Sequence, residues 1–133
     1  MVMSSDNSTS HTTILVCVTC RNPGDSTDSP RAGEALADST ATAVASEATI
    51  RVRRIECLAN CSRGLSAAIQ RDGAWTYVFG GLLADRDGET LATGARLLAA
   101  AEDGLLPWSG RPEPLKRGLV ARVPPVRVIG ESA

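Results

Sequence analysis

Apolar residues cluster and alternate along the chain in a pattern that predicts four β-strands and two α-helices. Two helices are predicted by helical spacing, one over residues 30–45 and one beginning at Asp87. Gly104 is expected to end the second helix, because glycine readily adopts the left-handed conformation that follows a helix. The predicted strands are Thr12–Val18, Thr49–Cys57, Ser66–Gln70 and Trp75–Phe79.

The last two predicted strands are separated by Arg71-Asp72-Gly73-Ala74, and an Asp-Gly pair between two apolar runs is a strong hairpin signal. The chain therefore predicts an α/β fold: a βαβ unit followed by a β-hairpin and a closing helix. This order resembles the thioredoxin-like fold. Residues 1–11 are predicted to be a flexible tail, residues 12–104 the domain, and residues 105–133 a proline-rich C-terminal extension.

The composition is that of one globular domain with few aromatic residues. The chain has 133 residues and a formal net charge of −1, which argues against a dedicated nucleic-acid-binding protein. Its aromatic residues are Trp75, Tyr77, Phe79 and Trp108. The first three alternate along one predicted strand, and we interpret them as core packing rather than as a stacking platform for bases.

The small net charge hides an asymmetry between the two ends of the chain. Residues 111–133 contain five basic and two acidic side chains, so this segment carries +3 and the remainder −4. The segment is a candidate docking site for an acidic partner or a second subunit. Alternatively, it packs on its own acidic domain. Trp108 is expected to fix the segment to the domain.

The first 13 residues contain neither the basic nor the apolar region of a secretory signal, and no run is apolar enough for a membrane helix. We therefore expect a cytoplasmic protein without a membrane partner. Disulfides are rare in a reducing compartment, so the four cysteines indicate metal or redox chemistry. The single histidine, His11, is expected to be an exposed bystander, which argues against a histidine-dependent catalytic triad.

The cysteines form two pairs, Cys17-x2-Cys20 and Cys57-x3-Cys61. Their spacing permits a zinc site, an iron–sulfur cluster or a dithiol redox pair. If the first two strands are parallel, their carboxyl ends lie at the same edge of the sheet. The two pairs would then meet at the edge where α/β folds usually hold ligands.

The segment Glu56–Gly64 resembles the thioredoxin-like [2Fe–2S] ferredoxins, whose second cysteine pair lies in a Cys-Leu-x-x-Cys loop between a strand and a hairpin. The resemblance implies that Cys57 and Cys61 are cluster ligands, and that Cys17 and Cys20 complete the set by their position after the first strand. That family generally spaces its first pair more widely. Four segments are also similar to a bacterial family described as predicted metal-binding proteins: Val16–Arg21, Cys57–Cys61, Trp75–Gly80 and Ala121–Pro125.

These resemblances imply a small iron–sulfur protein that carries single electrons between redox partner proteins and is not an enzyme. A homodimer is a candidate assembly. The first alternative is a protein that binds zinc or another metal, either for structure or as a metal carrier. The second is a thiol–disulfide oxidoreductase in which Cys17 and Cys20 form the active pair.

Overall fold

The computed structural model describes residues 11–19, 32–56, 58 and 64–125. Within these residues, the βαβ unit, the hairpin and the closing helix that the sequence predicts are all present, and a short helix and a fifth strand follow. The elements in chain order are β1 (Thr12–Cys17), α1 (Ala32–Ala43), β2 (Ile50–Ile55), β3 (Leu65–Arg71), β4 (Thr76–Leu82), α2 (Asp87–Ala100), α3 (Glu113–Arg117) and β5 (Leu119–Val123). No helix in this part of the chain has the length and hydropathy needed to cross a membrane.

The five strands form one sheet in the order β2-β1-β3-β4-β5. β1 and β2 are parallel, whereas the other neighbouring strands are antiparallel. The two long helices contact each other, α1 also contacts β1 and β2, and α2 contacts β1 and β3. A Cβ atom at Gly94 of α2 would lie 3.0 Å from the Ile69 side chain of β3. The side of the sheet that includes Ile69 therefore faces the helices.

The core lies between this face of the sheet and the two long helices. Ile14 pairs with Ile69, and both are fully buried, as are Leu36 of α1 and Leu91 of α2. Tyr77 and Phe79 are 2% and 0% exposed, which confirms that these aromatic residues pack in the core. Trp75, in contrast, precedes β4 and is only partly buried.

Helix α2 ends at Ala100, earlier than Gly104, so the predicted helix end was wrong. The Arg71 guanidinium donates hydrogen bonds to the carbonyl oxygens of Ala99 (3.4 Å) and Ala101 (2.9 Å), which satisfies acceptors at the helix end. Gly104 instead has a φ of +75° and lies against the hairpin turn, where its carbonyl accepts a hydrogen bond from Trp75 N at 2.9 Å. A Cβ atom at Gly104 would lie 3.0 Å from Ala74 Cα.

The segment after α2 is attached to the domain by buried contacts. The buried Leu106 N donates a 2.8 Å hydrogen bond to the Tyr77 hydroxyl. Leu115 of α3 is fully buried, and a Cβ atom at Gly94 of α2 would lie 2.5 Å from it. β5 then completes the sheet beside β4. Described residues of the predicted extension therefore contribute both a helix and a strand to the fold.

Three basic residues of this segment lie over aromatic rings. Arg111 is 8% exposed, and its guanidinium lies 5.7 Å from the Tyr77 ring centroid and 5.1 Å from that of Trp108. Lys116 Nζ lies 4.9 Å from the Trp108 centroid, and Arg122 lies 4.6 Å from that of Trp75. Trp108 is 62% exposed, so its predicted role as the anchor was wrong; Leu106 and Leu115 are buried instead.

The sequence also suggests that Asp87 is a surface carboxylate at the start of a helix, but its side chain is fully buried. It accepts hydrogen bonds from Leu83 N at 2.7 Å and from Arg86 Nε at 2.9 Å. Burial alone would raise the pKa of Asp87. Hydrogen bonds from Arg86, Leu83 and Thr90, together with the charge of Arg86, outweigh burial and lower this pKa below its usual value.

We predict that Asp87→Asn destabilises the protein by about 1–3 kcal/mol at neutral pH, because the neutral amide cannot satisfy the same donors. A carboxylate whose pKa is lowered by folding stabilises the fold above its unfolded-state pKa and loses this contribution as pH falls through the folded-state pKa. The difference between wild type and variant should therefore shrink below pH 3.8, the usual value. Urea unfolding between pH 7 and pH 2.5 measures this difference in the free energy of unfolding. Asp85→Asn is the exposed control, and a pH-independent difference would contradict the prediction.

We also predict that Tyr77→Phe lowers the free energy of unfolding by about 1–3 kcal/mol, because the buried Leu106 N–H loses its acceptor. Amide exchange at Leu106 should become faster. Thr42→Val removes a hydroxyl whose 3.0 Å hydrogen bond to Asp38 O is exposed, and it should have little effect. Unchanged exchange at Leu106 in Tyr77→Phe would show that this hydrogen bond does not hold the segment.

Candidate metal centre

The carboxyl ends of β1 and β2 lie side by side at one edge of the sheet. Their parallel register runs without a shift from Thr12 beside Ile50 to Cys17 beside Ile55. A further backbone hydrogen bond of 2.9 Å, from Val18 N to Ile55 O, continues the pairing beyond the strands. The parallel arrangement predicted from the sequence is therefore confirmed.

Of the four predicted ligands, Cys17 lies within the described residues, and Cys20, Cys57 and Cys61 lie outside them. Cys17 is the last residue of β1, and Cys57 follows Ile55 by two positions in the sequence. Adjacent strands are about 4.8 Å apart. The register therefore brings Cys17 beside the end of β2, which in the sequence lies two residues before Cys57. The predicted ligand set remains a prediction.

Cys17 is fully buried, and its sulfur faces polar groups from both strand ends. The Sγ atom lies 3.4 Å from the carbonyl oxygen of Glu56, to which the thiol donates, and 3.5 Å from the hydroxyl oxygen of Thr19. Thr19 also donates a hydrogen bond to the carbonyl of Glu56. The two hydrogen bonds to this carbonyl tie the end of β1 to the residue that precedes Cys57.

Cys17 also lies beside a hydroxyl-bearing position of β3. Val16 pairs with Ala67 in the antiparallel register, so the next pair in that register is Cys17 with Ser66. Ser66 is fully buried, and its hydroxyl donates a 3.3 Å hydrogen bond to the carbonyl of Gly64. Residues on both sides of Cys17 therefore provide polar groups at this edge.

The first turn of α1 packs against the end of β1. A Cβ atom at Gly33 would lie 2.2 Å from the carbonyl oxygen of Cys17 and 3.1 Å from Val18 Cα, so only glycine permits this approach. The amino-terminal region of a helix carries a partial positive charge, which favours nearby anions. The fold therefore places the first turn of α1 beside the backbone of the first predicted ligand.

Thr19 and the Glu56 carbonyl are functional candidates that the ligand pattern did not include. Thr19 lies between Cys17 and Cys20 in the sequence. A hydroxyl residue between two predicted ligands is the sequence feature that could have identified it. The Glu56 carbonyl had no such signal, because any residue type supplies a backbone carbonyl. Its position depends on the strand register.

An open groove of about 630 Å³ lies at the opposite edge of the sheet. His11, which precedes β1, lines it together with the hairpin turn and the chain after β5. His11 is half-buried there rather than exposed. Within the described residues, no group of three or more His, Cys, Asp or Glu side chains could hold a metal ion. The groove lies near the first residues of β1, whereas Cys17 is the last residue of that strand.

Comparison with known proteins identifies the fold class and then the family. The structure of a thioredoxin-like [2Fe–2S] ferredoxin from Aquifex aeolicus is similar with a TM-score of 0.53 and 18% sequence identity, covering 88% of this chain and 97% of that chain. This likeness confirms the thioredoxin-like α/β fold. Residues 14–125 match the family described as protein of unknown function (DUF1636), and the chain belongs to that family. No curated protein matches the chain.

We predict that Gly33→Ala destabilises the metal-free protein by about 1–3 kcal/mol, because a new Cβ atom displaces α1 from the end of β1. The clash involves the backbone carbonyl of Cys17, which cannot rotate away as a flexible side chain would. Chemical unfolding measures the effect. Glu34→Ala, at the next and exposed position of α1, should leave the stability close to that of wild type. Equal stability of the two variants would contradict the predicted close contact.

Proposed function

We propose that the protein is a small electron carrier that holds a [2Fe–2S] cluster through Cys17, Cys20, Cys57 and Cys61. The observation that carries the proposal is the in-register parallel pairing of β1 and β2, which ends at Cys17 and Ile55. The donor set fits the group, because [2Fe–2S] clusters bind through four cysteine thiolates and the chain has four cysteines. The similar fold of a [2Fe–2S] ferredoxin supports the same assignment.

The cluster would accept and release one electron at a time, while the protein positions it and sets its potential. The Thr19 hydroxyl beside Cys17 can donate a hydrogen bond to a site that holds negative charge. The chain would exchange electrons with redox partner proteins and catalyse no substrate conversion itself. A reducing cytoplasm, which keeps thiols available for iron, is the compartment that we propose. A homodimer remains a prediction that sedimentation velocity would test.

Binding of zinc by the same four cysteines is the main alternative, since thiolates suit both zinc and iron–sulfur clusters. The thiol–disulfide alternative gains one supporting observation, the contact of the first turn of α1 with the end of β1, because helix amino termini lower thiol pKa values. Such enzymes, however, need an accessible thiolate, and Cys17 is fully buried. We therefore favour a metal-binding role for this residue.

Anaerobic purification of the full chain tests the proposal. We expect a brown protein with about two iron and two sulfide ions per chain and absorption in the visible range. Cys57→Ser and Cys61→Ser should each lose the colour, whereas His11→Ala, at the opposite edge of the sheet, should retain it. A colourless wild-type protein with stoichiometric zinc would refute electron transfer. Reduction of insulin disulfides that depends on Cys20 would favour the thiol–disulfide enzyme.

A further inference from the structure

We propose that Thr19 is a positioning residue whose hydroxyl donates a hydrogen bond to the Cys17 sulfur and thereby raises the reduction potential of the site. This inference rests on the proposed function. It starts from three polar atoms at the joined strand ends: the Thr19 hydroxyl, the Cys17 sulfur and the Glu56 carbonyl oxygen. The sulfur lies 3.5 Å from the hydroxyl oxygen and 3.4 Å from the carbonyl oxygen.

The hydrogen-bonding capacities of these atoms change when the thiol loses its proton. In the metal-free protein, the Cys17 thiol and the Thr19 hydroxyl both donate to the Glu56 carbonyl. A carbonyl oxygen has two lone pairs and accepts both bonds. As a metal ligand, Cys17 is a thiolate and can only accept. Its sulfur would then face the carbonyl oxygen with no proton between them, which is electrostatically unfavourable.

The Thr19 hydroxyl can resolve this conflict, because it has one proton and reaches both acceptors. Hydroxyl hydrogens rotate about the C–O bond, so the proton can point either to the Glu56 carbonyl or to the Cys17 sulfur. A hydrogen bond to a charged acceptor is roughly twice as strong as one between neutral groups. Binding of Cys17 as a thiolate therefore favours rotation of the Thr19 proton towards the sulfur.

The strength of this bond depends on the redox state. An electron delivered by a partner protein would increase the negative charge on a bound cluster and its thiolates, and the Thr19 hydroxyl would stay protonated, so no bond between heavy atoms would form or break. Hydrogen bonds to cluster sulfur atoms stabilise the more negative, reduced state and raise the reduction potential. Thr19 would thus favour electron uptake through Cys17.

The same rotation links the two halves of the site. When the Thr19 proton points to the sulfur, it no longer contributes to the hydrogen bond with the Glu56 carbonyl, which directly precedes Cys57 in the chain. Binding of Cys17 as a thiolate would therefore loosen one tie between the ends of β1 and β2. The backbone hydrogen bond from Val18 N to Ile55 O is independent of this proton and keeps the strands together.

Replacing Thr19 with valine or serine separates the hydroxyl from the shape of the side chain. In Thr19→Val the reduced fraction at a fixed potential should fall about tenfold relative to the oxidised fraction, which corresponds to about 59 mV for a one-electron couple. Thr19→Ser keeps the hydroxyl and should restore most of the wild-type potential. Thr13→Val, near the other end of β1, is the control for an exchange of threonine for valine away from the site. Spectroelectrochemical titration measures each potential.

The outcomes distinguish this inference from the proposed function. A wild-type protein that binds no cluster refutes the proposed function before Thr19 is tested. Coloured Thr19→Val with a wild-type potential refutes the role of Thr19 and leaves the cluster assignment intact. Thr19→Ala provides a second variant without the hydroxyl, and its potential decides the question if valine prevents cluster binding. If Thr19→Val and Thr19→Ala both lose the cluster while Thr19→Ser retains it, the hydroxyl is needed for the structure of the site and the proposed effect on the potential is refuted.

Discussion

The parallel pairing of β1 and β2 is the constraint on which the candidate site depends. Because the register has no shift between Thr12 and Cys17, the position at which β1 ends also determines where the chain leaves β2. A parallel strand cannot slip by one residue here without moving its buried side chains to the other face of the sheet. The packing that stabilises Ile14 and Val16 in the core therefore also positions Cys17 beside Ile55. Core stability and site geometry depend on the same register.

The sequence was sufficient to predict this part of the fold because local and long-range signals agree there. A β-branched apolar run predicts β1, an Asp-Gly pair predicts the hairpin turn, and Gly73 in that turn has a φ of +77°. The parallel order follows from the helix between β1 and β2, since a crossover of that kind joins parallel strands. The chemistry of Cys17 was also suggested by its spacing, although its burial and its contact with the Glu56 carbonyl were not.

The features that the sequence did not reveal depend on tertiary contacts that leave weak local signals. The sequence does not predict α3, because frequent proline residues after residue 104 indicate irregular structure. Aspartate is usually found at the protein surface. Asp87 is nevertheless buried, since Arg86 and the backbone of Leu83 satisfy its carboxylate. Similarly, the sequence position of Gly104 is typical of a helix terminator, but Arg71 from β3 satisfies the end of α2. In each case a partner outside the local pattern determines the structure.

The packing of basic side chains on aromatic rings has an electrostatic consequence for the surface as a whole. A carboxylate partner cancels the charge of an arginine, but an aromatic ring is neutral and holds a cation without cancelling it. Lys116 over Trp108 and Arg122 over Trp75 are fixed in position while retaining their full positive charge. These two cations therefore keep their positive charge beside neutral rings, and the reach of their field into solution shortens as ionic strength rises.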